Sequence, residues 1–169
     1  MKVRQFVMAY RANHDRIKEL LPEGFESLRP VLRINAECFD GDDEWGYVEF
    51  NTPVAAEGKR GWLNITSWLM KPEYMHLEFV PAGKEGGCPH EDDNDGCFYW
   101  DYNTGSYRFL EAEQIDANKE YCDCTLSWEL PPANAFIDDD ERIRNFIRLE
   151  VEEILGAYVV DFDRPTEGE

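Results

Sequence analysis

The sequence is poor in positive charge, with 17 lysine and arginine residues against 36 aspartates and glutamates and a formal net charge of −19. A surface this acidic repels phosphate backbones and anionic lipids, which argues against nucleic acid or a membrane as partner. The simplest interpretation of the charge is a solvated surface that keeps the protein soluble.

Long apolar runs are also missing: none approaches the about 20 residues that a bilayer-spanning helix needs. Arg4, Gln5 and Arg11 interrupt any apolar signal-peptide segment near the N-terminus. We therefore expect a cytoplasmic protein. Its five cysteines are an odd number, and without a signal for an oxidising compartment we expect them to be thiols.

Familiar catalytic signatures are absent, since no Gly-x-Ser-x-Gly, P-loop or dinucleotide-binding pattern occurs. What the chain does have is enough apolar residues, 43% of 169, to fill one core. We predict a single domain over residues 1–162 and a polar C-terminal tail over 163–169.

The hydrophobic pattern predicts an α+β domain with a mainly antiparallel curved sheet or partial β-barrel and two helices, the longer one C-terminal. The expected helices follow the N-cap residue Asn13 as far as Leu21 and span Asp138–Leu155. A loop containing Pro53 and Gly58 should join the third and fourth strands. The nine expected strands are Val3–Tyr10, Val31–Phe39, Gly46–Phe50, Trp62–Met70, Tyr74–Val80, Cys97–Tyr102, Ser106–Ala112, Glu120–Leu130 and Tyr158–Phe162.

One predicted strand has a polar face that could form part of a functional site. In the strand Val31–Phe39, alternation places Arg33, Asn35 and Glu37 opposite the apolar residues. If the apolar side packs into the core, these three side chains face either water or a cavity inside a curved sheet.

Several segments of the first 70 residues share a family pattern. They resemble, in order and spacing, the N-terminal part of the acetoacetate decarboxylase-like family, and the resemblance covers roughly residues 8–69. The segments are Tyr10–Gly24 (YRANHDRIKELLPEG), Gly46-Tyr47-Val48-Glu49, Thr52-Pro53-Val54 and Gly58-Lys59-Arg60-Gly61-Trp62-Leu63. The resemblance implies the fold of that family and a small-molecule pocket inside the curved sheet.

The resemblance also implies site residues. Glu49 matches one family carboxylate of the pocket, and Asn35 stands where the family has a second. The family decarboxylates a β-keto acid through a lysine Schiff base, and that lysine reacts because its pKa is lowered until the amine is neutral. This chain has no Lys-Lys pair of the family type. Lys84 is the nearest counterpart by spacing, although its neighbour Glu85 favours the charged amine, and Lys71 is the second candidate.

The resulting hypothesis is a pocket for a keto acid or related carboxylate that needs no cofactor or metal. Glu49 would transfer or orient a proton, Arg33 would anchor the carboxylate beside Asn35, and Lys84 would be the nucleophile. The alternative is a binding or interaction module of the same fold that has lost the lysine chemistry. Exposed strand edges would permit a homo-oligomer in either case.

A metal site is the main rival chemistry. Cys88, His90 and Cys97 share one acidic stretch, but zinc sites show tight ligand pairs and eight residues separate the two cysteines. Cys122 and Cys124 alternate with apolar residues, which favours buried thiols. Residues 91–96 resemble the start of a calcium loop but lack its terminal glutamate. We therefore expect no metal.

Overall fold

A computed structural model describes residues 1–40, 46–68, 75–83, 97–102, 104–110, 120–128 and 141–164, with the backbone alone described for 68, 75–83 and 120–128. It contains ten strands and two helices in these ranges. They are β1 Lys2–Arg11, α1 His14–Leu20, β2 Glu26–Ser27, β3 Val31–Phe39, β4 Tyr47–Ala56, β5 Lys59–Trp68, β6 Met75–Gly83, β7 Cys97–Asp101, β8 Tyr107–Leu110, β9 Glu120–Trp128, α2 Glu141–Ile147 and β10 Glu153–Asp163. The predicted α+β class is confirmed.

The strands form one sheet in the order β6-β9-β10-β1-β3-β4-β5-β7-β8, and β2 pairs with β4 beside this path. Neighbouring strands are antiparallel except β5 and β7, which are parallel. Within the described residues the outermost strands β6 and β8 do not pair with each other, so the sheet is open and does not close into a barrel. No described helix has the length and apolar character needed to cross a membrane.

The hydrophobic core lies between one face of this sheet and the two helices. Ile17 of α1 and Ile143 of α2 are fully buried against core-facing strand residues such as Leu32 and Phe50. Asn13 fixes the start of α1, because its side chain accepts a hydrogen bond from the backbone N–H of Arg16. Burying one face of the sheet in this way leaves the other face to carry polar side chains.

The C-terminal segment differs from its prediction. The expected helix over Asp138–Leu155 is wrong for residues 148–155, because the helix ends at Ile147 and β10 begins at Glu153, while residues 138–140 lie outside the described ranges. The physical reason is that β10 pairs with β1 along its length, from Lys2 opposite Asp163 to Arg11 opposite Glu153. Within the described ranges α1 and α2 each have seven residues.

The predicted loop between the third and fourth strands is also wrong. β4 continues through Pro53 to Ala56, and β5 begins at Lys59, so the two form a long hairpin. The turn residues Glu57 and Gly58 both have positive φ, of 51° and 76°. Two consecutive positive φ values are typical of the type I′ turn, whose twist matches that of paired strands.

Candidate functional site

The polar face of the sheet, meaning the side opposite the two helices, runs across β3, β4, β5 and β7. On β3 it carries Arg33, Asn35 and Glu37, while Ile34 and Ala36 between them are buried in the core. Asn35 and Glu37 are only 8% and 5% exposed, and Arg33 is half-buried. The polar face is therefore sheltered at this point rather than open to solvent.

The register between β3 and β4 brings the predicted residues together. Asn35 lies opposite Glu49, and Arg33 lies opposite Asn51. Directly opposite residues in an antiparallel pair share a face, with Cβ atoms about 5 Å apart. Glu49, Asn35 and Arg33, which the sequence predicted as site residues, therefore sit side by side on the polar face.

Arg33 is held in place from two sides. Its Nε–H donates to Oδ1 of Asn51 at 2.8 Å, and its guanidinium carbon lies 3.7 Å from the ring centroid of Trp62. Asn51 in turn donates from Nδ2 to Oε2 of Glu49 at 2.9 Å. Among the described residues the Nη groups of Arg33 make no hydrogen bond, so this fixed guanidinium presents a planar pair of donors.

Glu49 lies in surroundings that favour its neutral form. Burial raises the pKa of its carboxyl above the ordinary value, and the charge of Glu37 raises it further. The positive charge of Arg33 and hydrogen bonds from the Tyr47 and Tyr99 hydroxyls oppose this shift without cancelling it. Glu49 therefore keeps its proton at a higher pH than an exposed glutamate does.

The two tyrosines remain hydrogen-bond donors. Burial raises the pKa of both Tyr47 and Tyr99 well above the ordinary value, and the adjacent charge of Glu49 adds to the effect. The two hydroxyls also hydrogen-bond to each other, and Ser67 bonds to Tyr47. The result is a group of protonated hydroxyls around one carboxyl.

Glu37 is neutralised by a residue from the end of the chain. Arg164, which follows the last strand, donates from Nη1 and Nη2 to the two carboxylate oxygens of Glu37 at 2.8 and 3.2 Å. The polar tail predicted from residue 163 onward thus contributes Asp163 to β10 and Arg164 to this ion pair.

Comparison with solved structures gave long matches at low identity. One match is acetoacetate decarboxylase from Legionella pneumophila subsp. pneumophila str. Philadelphia 1. The aligned region covers 95% of this chain and 81% of that enzyme's chain, with 13% identity and a TM-score of 0.63. For a second acetoacetate decarboxylase structure the aligned region covers 95% of this chain and 84% of the other, with 14% identity and a TM-score of 0.59. For an acetoacetate decarboxylase-like enzyme from Sphingomonas wittichii RW1 the aligned region covers 95% of this chain and 87% of the other, with 8% identity and a TM-score of 0.50.

The chain has the acetoacetate decarboxylase-like fold. The sequence itself matched no family model and no curated protein. At 8% to 14% identity the structural likeness establishes the acetoacetate decarboxylase-like fold, which confirms the resemblance in its structural sense. The chemistry has to be argued from this chain's own side chains.

The described lysines supply no amine to the polar face. Of the chain's six lysines the structure describes three, and none of them belongs to the polar face: Lys2 and Lys18 are exposed, and Lys59 lies beside a core-packed ring of Phe98. The two candidate nucleophiles, Lys84 and Lys71, lie outside the described residues.

Sequence reasoning missed several members of the site. Asn51, Tyr47 and Tyr99 contact Arg33 or Glu49, yet none was singled out. Two of them carried a usable signal, because Tyr47 and Asn51 lie two residues either side of Glu49 in one strand and so share its face.

No group of three metal-binding side chains occurs among the residues that the structure describes. Cys38 is buried and Cys97 is half-buried. The stretch with Cys88, His90 and residues 91–96 lies outside the described ranges, and the side chains of 120–128 are likewise not described.

Proposed function

We propose that the polar face binds a small keto acid or related carboxylate, with Arg33 as its anchor. The observation that carries this proposal is the setting of Arg33: stacked on Trp62 and bonded through Nε to Asn51, it keeps its Nη groups unbonded among the described residues. A guanidinium held in one plane matches the two oxygens of a carboxylate, and binding costs it little side-chain entropy.

Glu49 would supply a proton beside the anchored ligand. A neutral carboxyl does not repel a bound carboxylate, and the raised pKa of Glu49 makes it a proton donor nearer neutral pH than an ordinary glutamate. When a β-keto acid loses CO₂, the electron pair of the broken C–C bond remains on the neighbouring carbon, which must take up a proton. Glu49 would deliver that proton.

A lysine Schiff base would complete a decarboxylase. We propose Lys84 as its nucleophile, with Lys71 as the alternative; Lys84 directly follows Gly83, the last residue of β6. The amine would condense with the ketone and release water, and the protonated imine would accept the electrons of the breaking bond. The neighbouring anion Glu85 opposes activation of Lys84, because it favours the charged amine.

The second candidate is a binding module without lysine chemistry. It is favoured by the neutral amide of Asn35 at a position where the family carries a carboxylate, together with the absence of a Lys-Lys pair from the sequence. In that case Arg33 and Glu49 would recognise the ligand, and no covalent step would follow.

Calorimetric titration with a panel of small keto acids tests the anchor. Arg33→Met should weaken binding roughly 10- to 100-fold, because it removes charge-assisted hydrogen bonds. The matched control is Arg60→Met, which removes the same charge from an exposed position in β5 and should leave the affinity within about twofold of wild type. If the wild-type protein binds no member of the panel, or if both variants behave alike, the proposal fails.

Borohydride trapping followed by peptide mass spectrometry separates the two candidates. A substrate-sized adduct on Lys84 or Lys71 supports the Schiff-base mechanism and identifies its nucleophile. Calorimetric binding that leaves every lysine unmodified supports the binding module.

A further inference from the structure

Two buried amide oxygens on the polar face have no hydrogen-bond partner in the part of the chain that the structure describes. Asn35 and Asn64 are 8% and 9% exposed, and in both the side-chain Oδ1 has no hydrogen-bond partner among the described residues. Buried acceptors are almost always bonded, because losing water without gaining a donor is unfavourable. Both oxygens therefore call for an explanation.

Their location is next to the proposed carboxylate anchor. Asn35 follows Arg33 by two residues on β3, so their Cα atoms lie about 6.6 Å apart on one face, and it stands opposite Glu49. Asn64 stands opposite Asn51 on the far side of β4. The two free oxygens thus flank the chain of contacts from Arg33 through Asn51 to Glu49.

The side-chain amide of Asn51 shows that a buried asparagine on this face can have both its oxygen and its nitrogen hydrogen-bonded. Asn51 is fully buried, and both ends of its amide are bonded, the oxygen to Arg33 and the nitrogen to Glu49. Asn35 and Asn64 belong to the same face but keep an acceptor unused. An amide oxygen is a neutral acceptor, so it suits a hydroxyl donor and does not repel an anion.

We propose that Asn35 and Asn64 recognise hydroxyl groups of the ligand, which makes the ligand a hydroxylated keto acid rather than a purely aliphatic one. This inference rests on the proposed binding of a carboxylate at Arg33. A compact acid with its carboxylate on Arg33 would lie on the face that carries Asn35 and Asn64, where a ligand hydroxyl would donate to either Oδ1. An analogue with a methyl group in that place leaves the buried oxygen unpaired, and sites built on such bonds discriminate strongly.

Matched ligand pairs test the inference on the wild-type protein. The first pair is 3-hydroxypyruvate and 2-oxobutanoate, which exchange a hydroxyl for a methyl group; the second is 4-hydroxy-2-oxobutanoate and 2-oxopentanoate. By calorimetry, we expect the hydroxylated member of at least one pair to bind at least tenfold more tightly than its methyl analogue. Asn35→Leu should reduce that preference to less than threefold, and Asn64→Leu should do so if its oxygen receives the donor.

The matched control is Thr52→Val, which removes a buried hydroxyl donating to the Val31 carbonyl on β3 and should leave the ligand preference unchanged. Equal or weaker binding of the hydroxylated member in both pairs overturns this inference but leaves the carboxylate site standing. A preference that survives Asn35→Leu and Asn64→Leu, each shown to be folded by circular dichroism, also overturns it. Absence of binding by all four acids overturns this inference, and the proposed function falls with it when no other member of the keto-acid panel binds either.

Discussion

Replacing Arg164 by methionine should destabilise the protein by about 3 kcal/mol, because Glu37 would keep a buried charge without its partner. Glu37 is only 5% exposed, and both of its oxygens are bonded to the Arg164 guanidinium. Breaking a buried ion pair costs about 3–5 kcal/mol, and the lower end applies because the Arg164 side chain is 31% exposed. For a chain of this size the melting temperature should fall by about 6–12 °C.

Urea unfolding at pH 7, followed by circular dichroism, measures this loss. The double variant Glu37→Gln with Arg164→Met should recover most of it, because the buried charge is then removed as well. The matched control is Arg4→Met, which breaks the ion pair with Asp161 on the adjacent strands β1 and β10. Those side chains are 58% and 62% exposed, so we expect a loss below about 1 kcal/mol.

Two results would refute the reasoning about the pair. One is a loss below about 1 kcal/mol for Arg164→Met, equal to that of the exposed control. The other is a double variant no more stable than Arg164→Met alone, which would show that the cost does not come from an unpaired Glu37.

Three further changes have defined outcomes. Glu49→Gln should raise the melting temperature relative to wild type, and the gain should grow as the pH rises above 4.5, the ordinary pKa, because ionising this buried carboxyl opposes folding. Thermal scans should show no gain near pH 4. A gain that does not depend on pH would contradict a raised pKa for Glu49. Gly61→Ala should cost at least about 2 kcal/mol in urea unfolding, because the new Cβ would lie 1.8 Å from the Phe98 carbonyl oxygen. Asn13→Ala should cost about 1 kcal/mol by the same assay, through loss of the helix cap bond to Arg16, and Asn13→Asp should retain most of it.

The strands with clear alternation could be predicted from sequence because their own side chains determine which face is buried. Both boundaries of the strand Val31–Phe39 were predicted correctly, because every second residue packs into the core. Ile154 and Leu155 were not, because their spacing also fits a helix and the deciding partner lies elsewhere: Tyr10 of β1 pairs with Ile154 across most of the chain. Local pattern contains no information about such a distant pairing.

The same distinction applies to the candidate site. Glu49 and Asn35 came from a resemblance confined to the first 70 residues, and pairing of the nearby strands β3 and β4 brings them together. Tyr99 reaches Glu49 only because β7 adds to β5 in parallel, which no local signal indicates. Arg164 meets Glu37 across 127 residues of sequence. Contacts fixed by long-range strand order were therefore the ones that the sequence could not supply.

The charges along β3 and β4 explain how an acidic protein can offer a site to an anion. Glu37 is neutralised by Arg164, and the raised pKa of Glu49 favours its uncharged form. Whenever Glu49 is protonated, Arg33 is the unbalanced charge on these two strands, held through Asn51 rather than through a carboxylate. Surface charges farther than about 8 Å are largely screened at physiological salt, whereas a sheltered charge is screened much less. A carboxylate at the polar face would therefore respond mainly to Arg33 and little to the net charge of −19.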